Sequence, residues 1–179
     1  MLPPYYLDIM ASMSQSTSCM TCDSRPDRPF CDMSTDALQA FDQIKSIGNY
    51  PRRAVLFAEG RPVRGIYILC DGRAKLSIGS ESGKRLTLRI AGPGEVLGLG
   101  AVLSNTPYEV TAEVLDDSQV VFVRRRDLVK FLREHKAVCL QIVNMLSQDL
   151  HGAYERVRNI GTIRPRRPRL LFRPRVVFS

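Results

Sequence analysis

The sequence predicts a mainly β protein with helices, in which a sandwich or barrel of short strands leads into a long helix. Between residues 51 and 125, runs of β-forming residues alternate with glycine-containing turns about every 8 to 12 residues, which is typical of β-sandwiches and barrels. After residue 126 the apolar residues take up a helical spacing instead. The change in period indicates where the strands end and the helical region begins.

Composition excludes several other classes of protein. The chain has 179 residues, of which 44% are hydrophobic and 25% charged, and this suits one globular domain with appendages. The longest nearly apolar stretch, 96–103, is eight residues long, whereas a membrane-spanning helix needs about 20. The first residues carry Asp8 and no basic group, unlike a secretory signal. These observations predict a cytoplasmic protein without a membrane span.

The N-terminal third begins with two segments that show no regular period. Residues 1–18 are polar, which predicts a disordered N-terminus, and residues 19–33 form a cysteine-rich segment with several Pro and Asp residues. A helix is predicted over 34–47, with Ser34 or Thr35 as its N-cap. Its apolar face would comprise Leu38, Phe41, Ile44 and Ile47.

Six strands are predicted in the part of the chain that follows. The strictest alternation lies in the fourth run, where Leu86, Leu88 and Ile90 are expected to face one way. With the helix before them, these strands define a predicted domain over 34–125. The predicted strands are 54–57, 66–70, 74–78, 85–90, 110–115 and 119–123.

The region 126–161 is predicted to be helical and to mediate dimerisation. A short helix is expected over 127–134, and a longer one carries apolar residues at alternating spacings of four and three. Such spacing is that of a coiled-coil seam, which predicts a homodimer. The alternative is that the same stripe packs on the protein's own strands. The seam comprises Cys139, Val143, Leu146, Leu150, Ala153, Val157 and Ile160.

The net charge of +8 comes mostly from the end of the chain. Seven of the 26 basic residues lie at 158–179, which contains no acidic residue, and the remaining 19 are nearly balanced by 18 acids. The basic tail, 162–179, could bind nucleic acid through counterion release or be an irregular end without a role. Composition leaves both readings open.

The ordered series of motifs resembles the family of bacterial regulators typified by the cyclic-AMP receptor protein and the fumarate–nitrate-reduction regulator (CRP/FNR). The motifs are LFAEG at 56–60, IYILCDGRAKL at 66–76 and GPGEVLG at 92–98, followed by the heptad helix. The resemblance covers about residues 19 to 161. It implies a β-roll sensor of the cyclic nucleotide-binding type (a jelly-roll or double-stranded β-helix), a dimerisation helix and a DNA-reading winged helix-turn-helix.

The chain departs from this family at its C-terminus. Only 18 residues follow Gly161, and they lack helix-turn-helix periodicity, so the tail stands in place of the family's DNA-binding domain. DNA is therefore expected as a partner of full-length relatives rather than of this chain. This departure favours an alternative function, in which a truncated module acts by forming mixed dimers.

The second departure concerns the nucleotide pocket. In relatives that bind cyclic AMP, the loop after the Pro-Gly-Glu turn supplies a Gly-Glu pair and then an Arg-Ser pair. Here those positions hold no glutamate and no arginine, and a buried phosphate without a cation is costly. The resemblance therefore implies a degenerate pocket, and cyclic AMP is not expected to bind. The corresponding residues are Gly94, Glu95, Gly98, Leu99, Val110 and Thr111.

Three cysteines with the pattern Cys19-x2-Cys22-x8-Cys31 precede the predicted roll. The resemblance places the ligands of an oxygen-sensing [4Fe–4S] cluster there, and thiolates are the usual ligands of such clusters. The family's fourth ligand corresponds to a position near Val121, which is not a cysteine. Cys70, at the end of a predicted strand, is therefore the fourth candidate metal ligand.

Other uses of these cysteines remain open. Zinc suits four thiolates equally well and would stabilise the fold without redox sensing. A thiol–disulfide switch and plain free thiols are further alternatives. Cys139 lies on the heptad seam and is expected to serve packing. Because no acid–base pair or nucleophile constellation is evident, we expect a regulator and not an enzyme.

Overall fold

The computed structural model describes residues 33–80 and 83–162, and of residues 159–162 it describes only the backbone. The predictions for residues 1–18, for nearly all of 19–33 and for the basic tail beyond Thr162 lie outside the described residues. The chain divides into two compact units, Met1–Met145 and Leu146–Ser179, and the boundary falls within the last helix.

Eight strands and four helices occupy the described part of the chain. In chain order they are α1 Thr35–Ile44, β1 Lys45–Tyr50, β2 Val55–Phe57, β3 Gly65–Leu69, β4 Ala74–Gly79, β5 Arg85–Ala91, β6 Val96–Leu97, α2 Leu99–Ser104, β7 Thr111–Val114, β8 Ser118–Arg124, α3 Arg125–Glu134 and α4 Lys136–Thr162.

The strands form two four-stranded antiparallel sheets. One has the order β1-β8-β3-β6 and the other β2-β7-β4-β5. Most neighbours within a sheet are distant in sequence, as where Ala74 of β4 pairs with Val114 of β7. The two-sheet roll and the long helix after it confirm the predicted fold class.

The main core lies inside the roll. Residues at alternate positions of a strand face the same side of its sheet, and in β4 and β7 these are the small and aliphatic residues that form the core. Their burial removes apolar surface from water, at roughly 25 cal/mol for each Å². The core cluster comprises Leu56, Phe57, Tyr67, Leu69, Ala74, Leu76, Ala91, Leu97, Ala101, Tyr108, Ala112, Val114 and Val120.

Helix α1 begins as predicted but ends earlier. The hydroxyl of Ser34 accepts a hydrogen bond from the Ala37 amide at 3.4 Å, which confirms Ser34 as the N-cap. The Phe41 ring packs edge-on against Phe131 of α3, with centroids 5.7 Å apart. The predicted extension of the helix to Ile47 is wrong, because Ile47 pairs with Val121 in the ladder between β1 and β8. Pairing with a distant strand outweighs the helical spacing of these residues.

Strand β5 also differs from its prediction. Ile90 lies opposite Lys75 of β4 and Leu86 lies opposite Ile78, with a register shift between them. Lys75 and Ile78 are three residues apart and face opposite sides of the sheet, so Leu86 and Ile90 do so too. The expectation that Leu86, Leu88 and Ile90 share one face is therefore wrong. Alternation in the sequence does not reveal a bulge.

The two predicted helices after the roll are present. Helix α3 buries Leu128, Phe131 and Leu132. Helix α4 buries Val138 and Ile142 near its start and continues through the whole predicted heptad region. No helix in residues 33–80 and 83–162 is long and apolar enough to cross a membrane.

Candidate functional site

The turn that opens the predicted pocket is held by hydrogen bonds around Gly94 and Glu95. The Gly94 amide donates to the Leu69 carbonyl at 2.7 Å, and the Leu69 amide donates to the Glu95 carbonyl at 3.1 Å. The Glu95 carboxylate accepts from the Gly92 amide at 2.8 Å and forms an ion pair with Arg89. Glu95 therefore fixes the turn and neutralises the nearby arginine.

The next two predicted residues lie at the start of α2. Gly98 has a φ of +79°, a left-handed conformation that favours glycine. A Cβ atom at this position would lie 2.8 Å from the Tyr108 ring. Leu99, which stands where the resemblance implies a glutamate, is buried. A buried leucine at this position contributes apolar packing and offers no acceptor to a polar ligand.

The last two predicted residues precede and begin β7. Val110 is half-buried and packs against the core cluster. The buried Thr111 accepts a hydrogen bond at its hydroxyl from the Glu59 amide, at 3.1 Å. None of the six predicted residues carries a positive charge, and Glu95 already pairs the neighbouring Arg89. These six residues therefore offer no cation to a phosphate, although the degeneracy of the pocket stays a prediction.

Tyr108 is not among the predicted site residues; it lies between α2 and β7 and is almost fully buried. Its hydroxyl donates to the Gly65 carbonyl at 2.7 Å and accepts from the amides of Arg64 and Gly65 at 3.2 Å. An aromatic residue in the run Thr106-Pro107-Tyr108 was the only signal in the sequence. That signal indicated no partner, because Gly65 lies 43 positions away.

Cys70 follows β3, and its amide donates to the Gln119 carbonyl at 2.8 Å. The residue is half-buried and forms no disulfide with another described residue. The next residue, Asp71, lines a cleft of about 560 Å³ together with Tyr50 and Asp117. Cys70 thus follows the end of β3, and its neighbour in sequence lines the cleft.

The proposed ligand set extends beyond the described residues. Cys19, Cys22 and Cys31 lie outside them, so their approach to Cys70 stays a prediction. Within residues 33–80 and 83–162, no three His, Cys, Asp or Glu side chains are grouped so that they could hold a metal ion. The described part therefore offers one thiol of the set, whose sulfur chemistry suits iron–sulfur clusters and zinc alike.

The predicted seam on α4 lies partly exposed. Val143, Leu150 and Val157, one heptad apart, are exposed to 55%, 52% and 69%, while Leu146 and Ala153 are half-buried. The half-buried Cys139 donates its thiol hydrogen to the Leu132 carbonyl at 3.3 Å, in keeping with a packing role. Ile160 lies in the helix, but its side chain is outside the described set.

The exposed apolar stripe is wider than the prediction. Leu140 and Tyr154, which are not among the predicted seam residues, are exposed to 71% and 60%. They lie beside the predicted positions on the helix surface, since neighbours on one face recur every three or four residues. An exposed apolar stripe of this length is typical of a surface that binds another protein.

Residues 47–135 match the model of the cyclic nucleotide-binding domain family. The Anaerobic regulatory protein of Bacillus subtilis is 24% identical over 129 residues, which make up 72% of this chain and 54% of that protein. The chain spans about half the length of the curated relatives it matches.

Two solved structures share the fold. The Thermus thermophilus catabolite activator protein superposes with a TM-score of 0.65 at 20% identity, over 74% of this chain and 62% of that one. The sensor domain of the transcriptional regulator DNR from Pseudomonas aeruginosa superposes with a TM-score of 0.60 at 21% identity, over 78% and 89%.

Together, the roll and these matches define a cyclic nucleotide-binding domain. More particularly, its homologues include regulators of the CRP/FNR family, and the chain covers mainly the sensor domain of such regulators.

Proposed function

We propose that this chain is a cytoplasmic redox or oxygen sensor that holds a [4Fe–4S] cluster and signals through a dimer of α4. The observation that carries the proposal is the placement of Cys70. This half-buried residue directly follows β3, while three closely spaced cysteines precede the roll. The named role of the Bacillus subtilis relative, an anaerobic regulator, supports the same reading.

Cys19, Cys22, Cys31 and Cys70 would hold the cluster through their thiolates. When bound, the cluster supplies an iron–sulfur centre that oxidants can break down. The chain's own contribution is to fix one ligand: the Cys70 and Asp71 amides both donate to the Gln119 carbonyl, which anchors the strand end to β8. A metal centre would thereby tie segment 19–31 to the roll, and its loss would release that segment.

The proposed output is the pairing of two α4 helices. The exposed stripe that includes Val143, Leu150 and Val157 gives each copy an apolar surface to bury. A change at the metal centre would then bias the dimer equilibrium, as a local chemical event acting on an element with two states. DNA enters this proposal only as a partner of longer relatives.

The test is metal analysis of protein purified without oxygen. We expect iron and acid-labile sulfide in the wild type, with a visible absorbance that air bleaches. Cys70→Ser should lose most of the iron, whereas Cys139→Ser, which removes a half-buried thiol on α4, should keep it. Colourless protein with stoichiometric zinc would reject the cluster in favour of a zinc-stabilised fold. Equal iron in both variants would remove Cys70 from the ligand set.

A second candidate function is a module that acts by mixed dimerisation. It needs only the α4 stripe and no metal, since the exposed apolar residues there would bury equally well against a longer relative. Co-expression with such a relative tests it. A stable mixed dimer that does not require the cysteines would support this candidate, and exclusive self-association would reject it.

A further inference from the structure

The connection between β6 and β7, residues 98–110, is held to the roll by several contacts, among them those of Tyr108 and a hydrogen bond from the Arg125 side chain to the Val102 carbonyl at 3.1 Å. Besides its hydroxyl bonds to Arg64 and Gly65, Tyr108 donates its amide to the Arg61 carbonyl at 3.1 Å. Its carbonyl accepts from the Gly60 amide at 2.8 Å. The hydrogen bonds of Tyr108 all join segment 98–110 to the connection between β2 and β3 or to the first residue of β3.

The Tyr108 ring occupies the interior of the roll as a bound aromatic molecule would. It stacks on Phe57 with centroids 4.1 Å apart and an interplanar angle of 21°. Gly98, at the other end of the segment, leaves room for it, since a Cβ there would come within 2.8 Å of the ring. The ring thus belongs to a segment that connects two strands, but it contacts the core between the sheets and the loops of other strands.

We propose that Tyr108 is a built-in occupant of the roll, which holds segment 98–110 closed without a small molecule. The combination of a stacked ring and three hydrogen bonds to one phenolic oxygen is the recognition that a pocket gives an aromatic ligand. Here the chain's own Tyr108 takes the place of such a ligand. Opening of segment 98–110 then requires that the Tyr108 side chain leave its site, so this side chain controls the conformation of the segment. The inference does not depend on the cysteines.

Removal and chemical replacement of the side chain test this proposal. Tyr108→Ala should leave a cavity beside Phe57 and speed amide hydrogen exchange at residues 99–107 by about tenfold, while the amides of β3 and β8 change little. Because an apolar cavity can bind a small aromatic molecule, p-cresol should restore protection. Toluene should restore less, since it cannot accept from the Arg64 and Gly65 amides.

Phe131→Ala provides the matched control, because it also removes a buried ring but lies on α3. In this variant, amide exchange should become faster around α1 and α3, and p-cresol should restore no more protection than toluene does. The proposal is overturned if Tyr108→Ala raises exchange equally throughout the roll, or if toluene protects the segment as well as p-cresol does.

Tyr108→Phe keeps the experiment informative if the alanine variant does not fold. It preserves the stack on Phe57 and removes only the hydroxyl. We expect faster exchange confined to the Arg64 and Gly65 amides and to segment 98–110. Unchanged exchange at these positions would show that the hydroxyl does not latch the segment.

Discussion

Among single residues, Gly72 shows how tightly the turns of the roll are built. It has a φ of +83°, and a Cβ atom there would overlap the hydroxyl oxygen of Ser118. That hydroxyl is already engaged, since it donates to the Asp116 carbonyl at 2.7 Å. The turn between β3 and β4 therefore requires glycine for both conformation and space.

We expect Gly72→Ala to destabilise the fold by about 3 kcal/mol or more, the sum of a left-handed conformation and a clash in a packed site. Gly83→Ala is the matched control, because Gly83 has a φ of +76° and a Cβ atom there would meet no atom of the described residues within 4 Å. It should cost only about 1 to 2 kcal/mol. Urea denaturation measures both, and equal losses would contradict the role given to Ser118.

The exposed pair of Arg73 and Asp116 makes a pH-dependent contribution to the free energy of unfolding. Arg73 donates to both carboxylate oxygens, at 2.8 and 3.3 Å, and this hydrogen bonding lowers the pKa of Asp116. Since the folded state has the lower pKa, the contribution is complete above the unfolded value of about 3.9 and is lost as the pH falls through the folded value. Solvent screening keeps it small.

Asp116→Asn should therefore lower the melting temperature slightly at neutral pH, and the difference from wild type should shrink below about pH 4. Calorimetry across this range checks the sign. If the difference in melting temperature instead grew as the pH fell, the ion pair of Asp116 with Arg73 would not be a source of stability.

Among the elements, α4 stands out because one helix combines a buried start with an exposed apolar stripe. Val138 and Ile142 are buried, whereas Leu150 and Val157 are more than half exposed. Long helices gain most of their stability from packing of an apolar face. The exposed part of α4 is therefore where we expect a partner helix to bind.

Leu150→Glu is expected to weaken self-association by about 100-fold or more, because it places a charge within the proposed seam. Gln148→Glu is the control, since it adds the same charge two positions along, at an exposed site on another side of the helix. Sedimentation equilibrium measures both. A dimer that survives Leu150→Glu unchanged would place the interface elsewhere.

At the scale of the whole molecule, the chain forms two compact units, one that contains the roll and one that contains the end of α4. The first carries Cys70 and Tyr108, and the second carries most of the proposed seam. The iron assay of Cys70→Ser belongs to this scale, because it asks whether residues 19–31 and the roll build one centre. The exchange experiment on Tyr108 asks instead about the roll alone, so the two can fail separately.

Sequence reasoning recovered the elements whose signals are local. The heptad spacing predicted α4, glycine turns marked the strands, and Ser34 marked the start of α1, because caps, turns and periodicity depend on neighbours along the chain. It did not find β1, β6 or α2. β6 and α2 have two and six residues, too few for a period to show.

What the sequence by itself determined about this protein is its class of fold, the long helix that follows the roll and its supply of thiols. The tertiary structure alone decided that Ile47 joins a sheet, that β5 is bulged opposite β4, and that the Tyr108 hydroxyl meets the backbone of Gly65. The physical reason is that strand pairing and core packing join residues dozens of positions apart. Their energies exceed local preference, and no local pattern in the chain encodes them.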